Sequence, residues 1–98
     1  MGNLTRLEVL EMVGDRLSGK IPEGIGNAHE LTSIKLSKNY LSGRIPKKVL
    51  NLDKLEVFDV SKNRLSGEIP KHKANIPASS FLYNPGICGT PLPPCKHL

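Results

Sequence analysis

Ninety-eight residues suffice for one domain, and a chain this short buries only a modest core, so each apolar position counts. Hydrophobic residues make up 38% and aromatics 4%, and the nine Gly and eight Pro would suggest disorder were they scattered. They recur at fixed intervals instead. The net charge of +5 is spread along the chain, eight basic and five acidic groups in 1–49 against six and four in 50–98. A nucleic-acid binder would concentrate its cations in a stripe with interleaved aromatics. This balance implies only a general attraction to anionic surfaces such as acidic polysaccharide or lipid headgroups.

No apolar run approaches the ~20 residues that span a bilayer. Met1-Gly2-Asn3-Leu4-Thr5-Arg6 passes into the pattern below without a signal peptide. Met1-Gly2 opens like a myristoylation motif, but Arg6 stands where that motif wants Ser or Thr.

After the two starting residues 1–2, the chain repeats itself. Residues 3–26, 27–50 and 51–74 align without gaps as three blocks of 24. Each block begins with a short strand region. Leu7, Leu31 and Leu55 open it, then come Leu10, Ile34 and Phe58, then Met12, Leu36 and Val60. Two apolar residues separated by one polar residue give the period of two of a half-buried strand. Asp15, Asn39 and Asn63 follow. An amide there can bond the backbone of its own turn and of the next coil, and Asp15, which has no amide donors, ties the first coil less well. Leu17, Leu41 and Leu65 return to the core, the Ser-Gly pairs at 18–19, 42–43 and 66–67 mark a bend, and Ile21, Ile45 and Ile69 precede Pro22, Pro46 and Pro70, which direct the chain outward.

These blocks resemble the plant-type leucine-rich repeat, whose 24-residue period and Leu-Ser-Gly-x-Ile-Pro signature occur here three times in register, as LSGKIP, LSGRIP and LSGEIP. The resemblance implies an α/β-type solenoid: a short leucine-rich repeat stack with parallel strands on its concave face and few or no true α-helices.

The pattern fails after the third block. Lys73 breaks the column of Ile25 and Val49, and Ser79 replaces a strand Leu, so the solenoid is expected to stop near residue 76, with 75–98 as a C-terminal cap hiding the open apolar edge. Phe81 and Leu82 are expected to lie across that edge, and Asn84-Pro85-Gly86 reads as a turn. Cys88 and Cys95 enclose a Gly- and Pro-rich loop. They read first as a disulfide, with free thiols or half a zinc site as alternatives; zinc needs four ligands, and His97 is the only further ligand type close by. No metal site or cofactor is expected. The tail is also similar to the C-terminal cap of plant leucine-rich-repeat receptor ectodomains, in the residues Phe81, Asn84, Pro85, Gly86, Ile87, Cys88, Gly89, Pro91, Leu92 and Cys95. In receptor-like kinases that cap precedes a transmembrane helix and a kinase, neither of which follows Leu98, and the paired N-terminal cysteines of such ectodomains are missing. The resemblance implies an extracellular or cell-surface location, with membrane attachment only through a parent receptor's transmembrane segment.

Strand residues alternating with the core columns should face the concave side. They form three ladders: Val9, Ser33 and Val57; Glu11, Lys35 and Asp59; Val13, Ser37 and Ser61. The middle ladder puts Lys35 between two carboxylates, either to neutralise neighbouring strands or to read a peptide or partner domain. Three strands expose little area against the ~800 Å² per partner of a stable interface, and no aromatic anchors cluster there. Tyr40 and Tyr83 lie off this face, in a turn and in the cap. Asn3-Leu4-Thr5 is an N-glycosylation sequon. Lys47-Lys48 and Lys71-His72-Lys73 read as solvated convex or cap-side groups, and His29, His72 and His97 share no column. No nucleophile elbow, phosphate-binding Gly loop or metal-ligand cluster is present in the sequence, so an enzyme is not expected.

The leading reading is a non-catalytic recognition module from a plant receptor-like kinase ectodomain, with a protein or peptide ligand, a co-receptor ectodomain or a wall component as partner and no nucleic acid. The alternatives are a soluble defence protein similar to the polygalacturonase inhibitors and a truncated remnant with no partner. Because Leu4, Leu7, Leu10 and Met12 would form an uncovered edge, the isolated chain is expected to be marginally stable or to self-associate.

Overall fold

The computed structural model describes residues 6–95. The sequon at Asn3, edge residue Leu4 and His97 lie outside them. In chain order the elements are β1 (Val9–Glu11), β2 (Ser18–Lys20), a 3-10 turn (Glu23–Asn27), β3 (Ser33–Lys35), β4 (Tyr40–Gly43), the one-turn helix α1 (Lys47–Leu50), β5 (Val57–Asp59), β6 (Arg64–Glu68), a second 3-10 turn (Ala78–Phe81) and β7 (Gly86–Cys88). The molecule measures 43 × 29 × 19 Å. Its coils stack as the period demands, with few helical residues.

Two parallel sheets line the stack. In the first, ordered β1-β3-β5, equivalent positions of successive blocks sit side by side: Leu10 pairs with Ile34, and Ile34 with Phe58. Parallel neighbours are reached only by a long crossover, which the rest of each coil supplies. Between the sheets runs the shared core. Leu31, Ile34, Leu36, Leu41, Ile45, Val49, Leu55, Phe58, Val60, Leu65 and Ile69 are all buried. In the first coil Leu7, Leu10 and Leu17 are only half-buried and Met12 is exposed, because no coil covers them among the described residues.

The second sheet, β2-β4-β6-β7, was not expected from the Ser-Gly pairs, which read as bends. Its register is slipped from the first: Gly19 pairs with Leu41 and Gly43 with Leu65. The glycines explain why both readings are partly right. Gly19, Gly43 and Gly67 have φ of 85°, 78° and 85°, a left-handed bend inside a strand that other residues adopt at a cost. The side chain after each glycine then lies across the glycine of the next coil. A Cβ at Gly43 would come within 3.1 Å of Lys20 Cγ, and one at Gly67 within 3.0 Å of Arg44 Cγ.

Asparagines tie the coils together. Asn39 Oδ1 accepts from the backbone N–H groups of Asp15 and Leu17 in the coil before it, at 3.0 and 2.9 Å. Its Nδ2 donates to the carbonyl oxygens of Met12, Leu36 and Ser37 at 2.7–3.1 Å. Asn63 repeats this one coil on, accepting from Leu41 N–H and donating to Leu36, Val60 and Ser61. Both side chains are buried with their polar atoms satisfied, whereas Asp15 is exposed.

The cap corrects two expectations. The solenoid does not stop near residue 76; an abbreviated fourth coil continues to Cys88. Val60 N–H donates to Ser80 O and Lys62 N–H to Leu82 O, both at 2.9 Å, extending the first sheet's hydrogen bonding into the cap. Asn84 takes the asparagine place, and β7 pairs with β6 to extend the second sheet. Phe81 closes the core, fully buried, with its ring 6.0 Å from that of Phe58 and 6.3 Å from His72. Leu82 instead points to solvent at 41% exposure. The strand period explains this: Phe81 takes the inward position that Val60 holds one coil earlier, so its neighbour must face outward. Cys88 and Cys95 form a disulfide with Cα atoms 4.9 Å apart.

Candidate functional site

The first sheet brings two of the three sequence ladders together residue for residue. Val9, Ser33 and Val57 are register partners, as are Glu11, Lys35 and Asp59. The third ladder lies just beyond the strands but stays in step, since Gly14 N–H donates to Ser37 O and Lys38 N–H to Ser61 O at 3.1 Å each. These side chains alternate with the half-buried Leu10 and the buried Ile34 and Phe58, so they stand on the outer, concave surface of the sheet.

Exposure differs along this surface. Val9 and Val57 are 49% and 42% exposed, and Val13 is exposed as well. Glu11 and Lys35 are open to solvent, Ser33, Asp59 and Ser61 are half-buried, and Ser37 is buried. The face is therefore an apolar row beside a charged row.

Neutralisation between strands does not take the form of a contact. Among the described residues the one ion pair is Lys54–Glu30, at 2.7 Å on the exposed approach to the strands. That pair holds the Lys54 ammonium above its ordinary pKa, first through the hydrogen bond and then through the Glu30 charge. Asp59 instead turns inward along its own chain, accepting from Ser61 N–H at 3.0 Å. Lys35 is left with its ammonium unengaged by any carboxylate among the described residues. An exposed cation one row away from exposed valines can meet a partner's carboxylate or carbonyl, and the valines can bury apolar surface beside it.

The remaining candidates fall elsewhere. Lys47 and Lys48 begin α1 on the convex side, where the Lys48 ammonium donates to Asn27 Oδ1 and its stem covers Gly26. His72 is half-buried against the Phe81 ring with Nδ1 2.9 Å from Pro70 O, a packing role that the run Lys71-His72-Lys73 did not disclose. Tyr40 and Tyr83 lie off the concave face as expected, each beneath a cation: Arg64 Cζ is 4.8 Å from the Tyr40 ring and Lys62 Nζ 5.8 Å from the Tyr83 ring. No group of three or more His, Cys, Asp or Glu able to hold a metal occurs among the described residues, and no helix among them is long and apolar enough to cross a membrane.

Comparison with known proteins agrees with this geometry. The Leucine Rich Repeat family model matches residues 54–75. No curated protein matches significantly by sequence. Among solved structures, one chain of the BIR3–SERK2 complex from Arabidopsis thaliana is 38% identical with a TM-score of 0.87, covering 93% of this chain and 48% of its own length. The ectodomain of the Arabidopsis thaliana membrane receptor kinase GASSHO1/SCHENGEN3, solved with CASPARIAN STRIP INTEGRITY FACTOR 2, is 36% identical with a TM-score of 0.87, covering 95% of this chain and 11% of that one. The structure of the Arabidopsis receptor kinase HAESA with the peptide hormone IDA and the co-receptor SERK1 matches at 31% identity and a TM-score of 0.54, over 87% of this chain and 18% of that one. The chain thus spans about half of the first of these and much less of the others. Repeat period, asparagine ladder, second sheet and capping coil together give this chain the leucine-rich repeat fold, similar to that of plant receptor-kinase ectodomains.

Proposed function

We propose that the chain is a non-catalytic recognition module of a plant receptor-like kinase ectodomain, extracellular, and that its concave face contacts a peptide ligand or a co-receptor ectodomain. The observation that carries this reading is Lys35, exposed and in no ion pair among the described residues, standing between Glu11 and Asp59 in the row next to the exposed Val9 and Val57. The HAESA structure holds a peptide hormone and the co-receptor SERK1, and the BIR3 structure is a complex with SERK2, which supports partners of the same classes here. A disulfide-closed cap supports an oxidising, extracellular setting. These likenesses favour a receptor ectodomain over a soluble enzyme inhibitor. Signalling itself would belong to the rest of the receptor. The concave face of three strands is small against a standard interface, so it serves as one end of a longer recognition surface.

Calorimetry of the oxidised chain against the SERK2 ectodomain, and against a displayed random peptide library, tests this. Lys35→Glu and Val57→Asp should abolish the binding found, and Lys71→Glu on the convex side should leave it unchanged. Failure to bind either class of probe, or binding indifferent to both concave substitutions, would reject the proposal.

A further inference from the structure

The linear sequence spreads its cations, but the fold gathers several of them on one flank, between the concave sheet and the second sheet. On either side of each buried ladder asparagine stands an outward residue. Lys38 and Tyr40 bracket Asn39, and Lys62 and Arg64 bracket Asn63; Arg16 and Tyr83 continue the two rows at either end. All six side chains are exposed, Tyr83 most of all at 70%. Lys38, Lys62 and Tyr83 share a left-handed backbone, φ 59°, 58° and 63°, which holds them at corresponding points of successive turns. The rows touch across coils, through Arg64 over Tyr40 and Lys62 over Tyr83.

We propose that this flank, formed by Arg16, Lys38, Tyr40, Lys62, Arg64 and Tyr83, binds an acidic polysaccharide, a linear polymer of uronic acid units. Three features select that chemistry. Each of the three coils contributes a cation, with Lys38 and Lys62 at corresponding points one ~4.8 Å strand spacing apart and Arg16 and Arg64 two coils apart in the other row, so they match a polymer of repeating carboxylates better than a single anion. Each tyrosine has a cation over one ring face, and its exposed surface offers a sugar ring an apolar plane and a phenol hydroxyl. The planar Arg64 guanidinium can take a carboxylate with two hydrogen bonds. A nucleic acid would satisfy the charges and could also stack, but the Cys88–Cys95 disulfide marks an oxidising compartment outside the cytosol. The inference is independent of the concave face.

The test measures binding of the oxidised 98-residue chain to oligogalacturonate at low and moderate salt, with the fold of every variant checked by circular dichroism. Tyr40→Thr with Tyr83→Asn should lower affinity about tenfold and leave its salt dependence unchanged. Lys62→Gln with Arg64→Gln should lower it about tenfold and flatten the salt dependence. Full methyl esterification of the oligosaccharide should abolish binding, and Lys35→Gln on the concave face should have no effect. Equal affinity for polyglutamate or single-stranded DNA would overturn the proposal, as would flank variants that bind like the parent chain.

Discussion

Asn84 makes for the cap the connection that Asn63 makes for the third coil. Asn84 Oδ1 accepts from Leu65 N–H at 3.0 Å, as Asn63 Oδ1 accepts from Leu41 N–H at 3.0 Å. Asn84 Nδ2 donates to Val60, Phe81 and Leu82 carbonyls at 3.0–3.3 Å. Each amide serves backbone groups that no strand partner reaches, inside a buried site where an unmet group costs about 1–3 kcal/mol. Asn84→Ala should therefore destabilise the chain by about 2–4 kcal/mol in urea unfolding. Asn84→Asp keeps the acceptor and loses the donors, so it should also destabilise at neutral pH. A loss below half a kcal/mol for Asn84→Ala would show that the cap is not a coil of the stack.

That relationship was only half legible in the sequence. The three blocks announce themselves because Leu, Asn, Gly and Pro return at a fixed period. The fourth coil is shortened, so Asn84 arrives three positions early for the 24-residue register and reads merely as a turn. The same shift hid the partition of Phe81 inside from Leu82 outside. The second sheet was missed for a different reason. Ser-Gly carries no apolar alternation, and its strands are held by backbone pairing around left-handed glycines. The period puts Lys35 on a ladder beside Asp59, but the sequence does not disclose that Asp59 bonds its own turn and leaves the lysine open. The flank cations were invisible as a group because they are adjacent in space only through the coil-to-coil stacking.

The glycine of each Leu-Ser-Gly-x-Ile-Pro signature should be the least replaceable surface position. Gly67 combines φ of 85° with Arg44 Cγ 3.0 Å and Arg44 Nε 3.2 Å from any added Cβ. Gly67→Ala should cost about 1–2 kcal/mol. Gly24 has nothing within 4 Å of an added Cβ and no positive φ, so Gly24→Ala should be neutral or slightly stabilising. Equal effects at the two sites, measured by chemical denaturation, would remove the explanation of the signature.

The converse holds at Lys38, a non-glycine residue at φ 59° whose side chain is exposed. Lys38→Gly relieves the left-handed strain while the backbone bond from residue 38 to Ser61 O is retained. The gain is opposed by the greater freedom of glycine in the unfolded chain, so a net stabilisation of about 0.5 kcal/mol is expected. A thermal melt showing a drop in Tm would mean that the lysine side chain contributes more to the fold than its exposure indicates.

Reduction of Cys88–Cys95 should loosen the last strand more than the rest. The closed loop is short, and chain entropy assigns such a closure roughly 2.5 kcal/mol. β7 is bound to β6 through pairs such as Gly67 with Ile87, and Ile69 N–H donates to Cys88 O at 2.8 Å. Hydrogen exchange in dithiothreitol should therefore accelerate first at Ile87 and Ile69, with Ile34 and Phe58 following only at higher denaturant. Uniform acceleration across both sheets would show that the disulfide supports the whole stack and not its end.

The opposite end of the stack should govern association of the 98-residue chain. Met12 is 38% exposed, while its equivalents Leu36 and Val60 are buried at 3% and 0%. With Leu10, Leu17, Ile21 and Ile25 it lines an apolar groove of about 250 Å³. Beside that groove, β1 is an edge strand, pairing only with β3 among the described residues, and an exposed edge is a template for pairing. The chain should therefore elute from size exclusion at increasing apparent mass as its concentration rises. Met12→Glu puts a carboxylate into the groove without removing a buried contact, so it should restore a monomer at little cost in stability. An oxidised parent chain that stays monomeric at high concentration and melts sharply would show that this edge is closed by the chain itself. The half-buried Leu7, Leu10 and Leu17 would then be an adequate boundary for the core.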